Sequence, residues 1–147
     1  MKSTCKWLLS AILAVLPAYG SADWTPPQPL SNSAFPSRTQ YNFGWAIDVD
    51  GAGVVHAAWL ELTSPDPPGY TTGRVMYSRS ADDGGHWSPP ISLSGPPSPF
   101  TGNPRVSASG PHVYVTWHGT HDGSGTSKIY LLHSYTHGHS WNPPRIV

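Results

Sequence analysis

Three tryptophans in this chain head the same phrase: Trp24-Thr-Pro-Pro, Trp87-Ser-Pro-Pro and Trp141-Asn-Pro-Pro. Around the second and third the match extends. Gly73–Pro90 (GRVMYSRSADDGGHWSPP) aligns without gaps to Ser127–Pro144 (SKIYLLHSYTHGHSWNPP) at an offset of 54, with Ser80/Ser134, Gly84/Gly138, Trp87/Trp141 and both prolines identical. Upstream, VVHAAW (54–59) matches HVYVTW (112–117) at an offset of 58. The offset changes because loops differ in length while the phrases stay constant. A repeat of this kind constrains the fold strongly, because each copy must be the same supersecondary unit and must bury a face against its neighbour.

Within each copy the pattern is that of strands. Ala46-Ile-Asp-Val alternates and meets the turn Asp50-Gly51; Val54–Leu62 is apolar and β-branched; Arg74–Arg79 alternates again; the turn Asp82–Gly85 leads to Ile91–Ser94. The second copy repeats the order over Arg105–Ser109, His112–Thr116, Lys128–His133 and Trp141–Val147. These runs are short and bounded by Gly, Asp and Pro, as strands are. Beyond residue 22 no stretch has helical period. Prolines at 89, 90, 143 and 144 lack a donor N–H, which places the last strand of each unit at a sheet edge. The expectation is an all-β chain of four-stranded antiparallel units, the unit of a β-propeller blade. A two-sheet sandwich is the alternative. The units divide as an outer strand over 23–31, one blade over 41–94 and a second over 103–147.

Composition narrows the function. Residues 1–22 read as a secretory signal: Lys2 and Lys6, an apolar run from Trp7 to Leu16, then small residues at Gly20-Ser21-Ala22 before Asp23. The run is shorter than the ~20 apolar residues of a membrane span. The only cysteine, Cys5, lies inside it, so the exported chain has no disulfide, thiolate or Cys-based zinc site. Removing both lysines leaves 6 basic against 8 acidic residues, which gives no basic footprint for nucleic acid. The expected location is secreted or periplasmic, with no membrane attachment after cleavage.

The two repeat cores resemble the Asp box, or bacterial neuraminidase repeat, Ser-x-Asp-x-Gly-x-Thr-Trp. Ser80-Ala-Asp82-Asp-Gly84-Gly-His86-Trp87 departs only at His86, and Ser134-Tyr-Thr136-His-Gly138-His-Ser140-Trp141 has Thr for the Asp and Ser for the Thr. The resemblance is to the sialidase-like β-propellers of secreted bacterial proteins, and it implies a six-bladed ring of which this chain supplies two blades and one outer strand. Such a chain is either part of a longer protein or closes as a homo-oligomer, and the leading strand could complete the last blade of a ring. The box itself reads as structural: Asp82 closes an Asx-type turn, accepting N–H bonds from two or three residues further on. Gly84 and Gly138 take φ > 0, and Trp87 and Trp141 start the outer strand and pack inward.

The resemblance also implies an enzyme site: three arginines gripping a sialic acid carboxylate, a Tyr–Glu nucleophile and an Asp acid/base. The family's Arg-Ile-Pro phrase is missing here. Gly102 stands at its Arg position before Pro104, Phe43 stands there in the first copy, and Arg105 falls past the Pro. Glu61 is the only Glu, without an assigned Tyr; Asp66 and Asp122 follow second strands with nothing to mark an acid. His118/His121 and His137/His139 lie in or beside Gly-rich loops with no Cys or carboxylate cluster, only Asp122 beside His121, and His56 reads as a hydrogen-bonded strand histidine. No cofactor, metal or catalytic residue is assigned. Two functions stand: a non-catalytic secreted propeller segment binding glycan or protein through its loops, or a fragment of an exo-α-sialidase-type glycosidase.

Overall fold

The computed structural model describes residues 26–39, 45–63 and 72–147. The expected export signal 1–22, Trp24, Phe43 and Asp66 lie outside the described residues. The described residues are all β, and no helix among them is long and apolar enough to cross a membrane.

Among the described residues ten strands form two antiparallel sheets: β1 (Ser37–Arg38), β2 (Ile47–Val49), β3 (Val55–Leu62), β4 (Thr72–Ser80), β5 (Ile91–Ser92), β6 (Ser98–Pro99), β7 (Gly102–Ser109), β8 (His112–Gly119), β9 (Lys128–Ser134) and β10 (Arg145–Ile146). In the first sheet β3 and β4 are central. β1 and β2 pair in succession along the free edge of β3, and β5 and β6 along that of β4. The second sheet is the meander β7-β8-β9-β10. Neither sheet closes on itself.

The sequence repeat is reproduced pair by pair. Trp59 stands opposite Met76 and Trp117 opposite Tyr130; Ala58 faces Tyr77 and Thr116 faces Leu131. The outer strands repeat too, with Ile91 opposite Tyr77 and Arg145 opposite Leu131. Even single bonds recur: Ser88 N–H to Arg79 C=O at 2.8 Å, and Asn142 N–H to His133 C=O at 3.0 Å.

Three expectations are corrected. Residues 26–31, the described part of the expected outer strand 23–31, form no strand. Prolines 26, 27 and 29 leave too few donors for a ladder. The outermost strands are shorter than expected, β5 and β10 covering two residues each. Pro89-Pro90 and Pro143-Pro144 delay pairing, so Trp87 and Trp141 sit in the turn exits and do not start a strand.

The core lies between the sheets. Ala58, Val75, Tyr77 and Leu93 of the first meet Val106, Val113, Val115, Trp117, Tyr130 and Leu132 of the second, with Trp141 packed against them. Side chains alternate across a strand, so these residues define one face of each sheet. The faces in contact are not equivalent in the repeat. At offset 54, Val75 and Tyr77 correspond to Ile129 and Leu131 on the far face of the second sheet, and the face that receives them corresponds to Ala57, Trp59 and Met76. The second sheet thus presents outward the counterpart of the face by which the first covers it, with Tyr114 38% and Ile129 50% exposed.

Candidate functional site

Both box turns use one bonding scheme. The buried Ser80 Oγ accepts the N–H of Gly84 at 2.9 Å and of Asp82 at 3.3 Å. The buried Ser134 Oγ accepts those of Gly138 at 3.0 Å and Thr136 at 3.1 Å. Asp82 Oδ1 accepts the His86 N–H at 2.7 Å, and Thr136 Oγ1 accepts that of Ser140 at 3.0 Å. The side-chain acceptor therefore reaches four residues ahead, not two or three. The backbone winds identically, with positive φ at Asp83 (55°) and Gly84 (89°) and at His137 (51°) and Gly138 (75°).

The departures from the box are paired. His86 stands where Thr is expected, and its Nδ1 donates to Asp82 Oδ2 at 2.6 Å. Where Thr136 replaces the Asp, Ser140 stands at the box's Thr position, its Oγ 2.9 Å from Thr136 Oγ1. A carboxylate meets an imidazole in one copy, and a hydroxyl meets a hydroxyl in the other. The bonds from the His86 backbone and ring and from Ser80 hold the Asp82 carboxyl at about 2. Trp87 Nε1 donates to Gly84 C=O at 3.1 Å. Trp141 instead lies edge-on to Tyr77, with centroids 4.9 Å apart.

A buried network, not foreseen from the sequence, ties the second turn to the first sheet. Asp50 Oδ1 accepts the N–H groups of Ala52 (2.8 Å) and Val54 (3.0 Å). Its Oδ2 receives His56 Nε2 at 3.2 Å and His137 Nδ1 at 2.5 Å. With Nε2 donating, His56 Nδ1 is left to accept the Tyr77 O–H at 2.7 Å. The Asp50 and His56 side chains are fully buried. Burial alone would raise the Asp50 carboxyl, but the bonds from His137, Val54, Ala52 and His56 outweigh it and hold it at about 2. Burial pushes His56 down, and the Asp50 carboxylate offsets part of that. An Asp–His–Tyr array with no exposed member at its tyrosine end has no access for substrate; Tyr77 is 1% exposed. It is a clamp between sheets, consistent with the hydrogen-bonded His56 expected from the sequence.

Buried Glu61 pairs with Arg74 Nη2 at 2.5 Å. Arg74 and Arg79 lie five residues apart on β4, hence on opposite faces, and Arg79 Nη2 donates to His139 Nδ1 at 2.9 Å. Arg105 on β7 and Arg145 on β10 occupy opposite edges of the second sheet, ~14 Å apart at three strand spacings. Asp122 bonds Ser124 and Lys128. His118 meets Ser127, and His121 meets Thr101. No group of three or more His, Cys, Asp or Glu side chains suited to a metal forms among the described residues.

One open cleft of about 330 Å³ adjoins the first turn, lined by Arg79, Ala81, Asp82, His86, Trp87 and Ser88. It combines an indole, a guanidinium and a carboxylate at the rim between the two turns, where His139 reaches Arg79. Compared with known proteins, the chain matches no family model, no curated protein and no solved structure.

Proposed function

We propose that this chain is a secreted, non-catalytic segment of a sialidase-like Asp-box β-propeller that binds glycan or protein through its turn and loop surfaces. The observation that carries the reading is the twofold occurrence of the box turn, each held by hydrogen bonds among its own polar groups. Ser80, Asp82 and Gly84, and Ser134, Thr136 and Gly138, bond one another and nearby backbone, so their conformation needs no ligand.

The stacking supports blades over a sandwich. Two repeats closing a sandwich bury equivalent faces against each other. Here the front of one unit covers the back of the next, an arrangement that can continue to further units, as heterologous contacts do. The exposed far face of the second sheet, with Tyr114 and Ile129, is where a further unit would pack. Against the glycosidase reading stand the burial of Glu61 beneath Arg74 and the dispersal of Arg74, Arg79, Arg105 and Arg145 over two faces and two sheet edges.

The test is a binding screen of the full chain against immobilised neutral and sialylated glycans and against secreted proteins. Saturable binding that survives Glu61→Gln supports the reading. Binding only of sialosides, coupled to their cleavage, contradicts it.

A further inference from the structure

We infer that the cleft beside the first box turn is a subsite for a neutral, hydroxylated six-membered ring, the pyranose of a glycan. This rests on the glycan-binding form of the function proposed above and assigns it a place and a ligand class.

Three features select the ligand. First, size: about 330 Å³ lies at the lower end of small-molecule sites, ~300–1,000 Å³. Second, one wall is apolar, made by Ala81 and the half-buried Trp87 indole, whose Nε1–H is already bonded to Gly84 C=O. An aromatic wall of this kind offers a flat surface for the C–H face of a sugar ring. Third, the polar groups carry opposite signs. Among the described residues the bond to His139 occupies one of the five N–H groups of Arg79, leaving donors that need acceptors. Asp82, held ionised by His86 and Ser80, keeps acceptor capacity at Oδ2 beyond the bond from His86. An anionic ligand would suit Arg79 and be repelled by Asp82; a cation meets the reverse. A hydroxyl both donates and accepts, so a ring bearing several hydroxyls satisfies both groups without an uncompensated charge.

The second copy acts as a built-in contrast. His133 and Thr136 stand where Arg79 and Asp82 stand, so neither charge is present. The His133 ring is engaged with Tyr114, centroids 4.1 Å apart, and Tyr135, 3.8 Å apart. Trp141 is turned into the core. The cleft chemistry thus belongs to the first box alone.

The experiment is a titration of the full chain followed by the Trp87 indole N–H resonance. The probes are the neutral methyl glycosides of glucose, galactose and mannose, the anionic N-acetylneuraminic acid, and the cationic glucosamine. Expected is a saturable shift with at least one neutral glycoside and weaker binding of both charged probes. Arg79→Gln should weaken the neutral glycoside about tenfold, the scale of one lost charge-assisted bond. Ala81→Trp, at an exposed position, should fill the cleft and abolish the shift without moving the unfolding midpoint. Tighter binding of the sialic acid than of any neutral glycoside would overturn the inference. So would a silent Trp87 resonance while glycans shift other resonances, an outcome that leaves the glycan-binding reading standing. Absence of glycan binding at any resonance would remove both.

Discussion

Gly84 and Gly138 occupy equivalent places in the two box turns, yet replacing each with alanine should have unequal cost. Both have positive φ, 89° and 75°, and a Cβ there costs ~1–2 kcal/mol. At Gly84 the added methyl meets nothing closer than the Trp87 ring at 3.9 Å, so the expected loss stops there. At Gly138 it would lie 1.8 Å from Tyr77 Oη and 2.7 Å from Cζ, about half an ordinary contact distance of ~3.5 Å in the first case. Tyr77 has no room to retreat, being bonded to His56 at 2.7 Å and wedged against Trp141. Overpacking adds ~1–3 kcal/mol, and breaking the Tyr77–His56 bond leaves a buried acceptor unpaired at ~1–3 kcal/mol. The sum for Gly138→Ala is ~3–8 kcal/mol, a large share of the ~5–15 kcal/mol that stabilises a typical domain. Urea unfolding followed by far-UV circular dichroism measures both, and a cycle with Tyr77→Phe isolates the contact. Removing the hydroxyl deletes the nearest clash, so Gly138→Ala should cost ~1–3 kcal/mol less when combined with Tyr77→Phe than on its own. Equal losses at the two glycines, with no coupling to Tyr77, would refute the packing of the second turn onto the first sheet.

Other outcomes follow from the same contacts. Asp82→Ala should lower the urea midpoint, because His86 N–H and Ser80 Oγ–H lose their acceptor, while Thr136→Asp should leave it unchanged or slightly raised by restoring the stronger acceptor. The folded values of His56, His118 and His121 are depressed by burial, so the unfolded chain takes up protons first. Stability is therefore full above ~6.5 and declines as pH falls below it. Asp50 removes more as pH falls from the unfolded 3.8 through the folded value of about 2; a pH series of midpoints reads both steps, and a flat profile from ~7 to ~5 would contradict the buried neutral His56. Mass spectrometry of exported material should find the chain beginning at Asp23 or Ser21, and an intact Met1 outside the cell would contradict cleavage.

Much of the fold was legible because the repeat is local. Alternation placed β4, the apolar and β-branched run 54–62 placed β3, the repeat carried both over to β9 and β8, and the constant offset of Ser80, Gly84 and Trp87 from their counterparts placed both turns. The central role of Ser80 and Ser134 was not legible, since nothing in a serine's neighbours says which N–H groups will converge on it. The Asp50–His137 bond joins residues far apart in the chain that meet only when the sheets stack. His137 therefore looked like a loop histidine paired with His139, whereas the structure sends them to Asp50 and Arg79. The short strands β1 and β6 continue along edges already occupied by β2 and β5, and two residues are too few to show a period. The cleft joins side chains from β4 and the turn that follows, and its mixed charge emerges only once Arg79 and Asp82 share a rim.

We propose that the box turns serve the fold and that the chain binds without cleaving. Incubating the purified full chain with a fluorogenic sialoside, beside Glu61→Gln and Arg105→Gln, tests it most directly. No release above buffer is expected for any of the three. Release that tracks with the purified wild-type chain and is lost in Glu61→Gln would contradict it, and would require the Glu61–Arg74 pair to open onto a catalytic site.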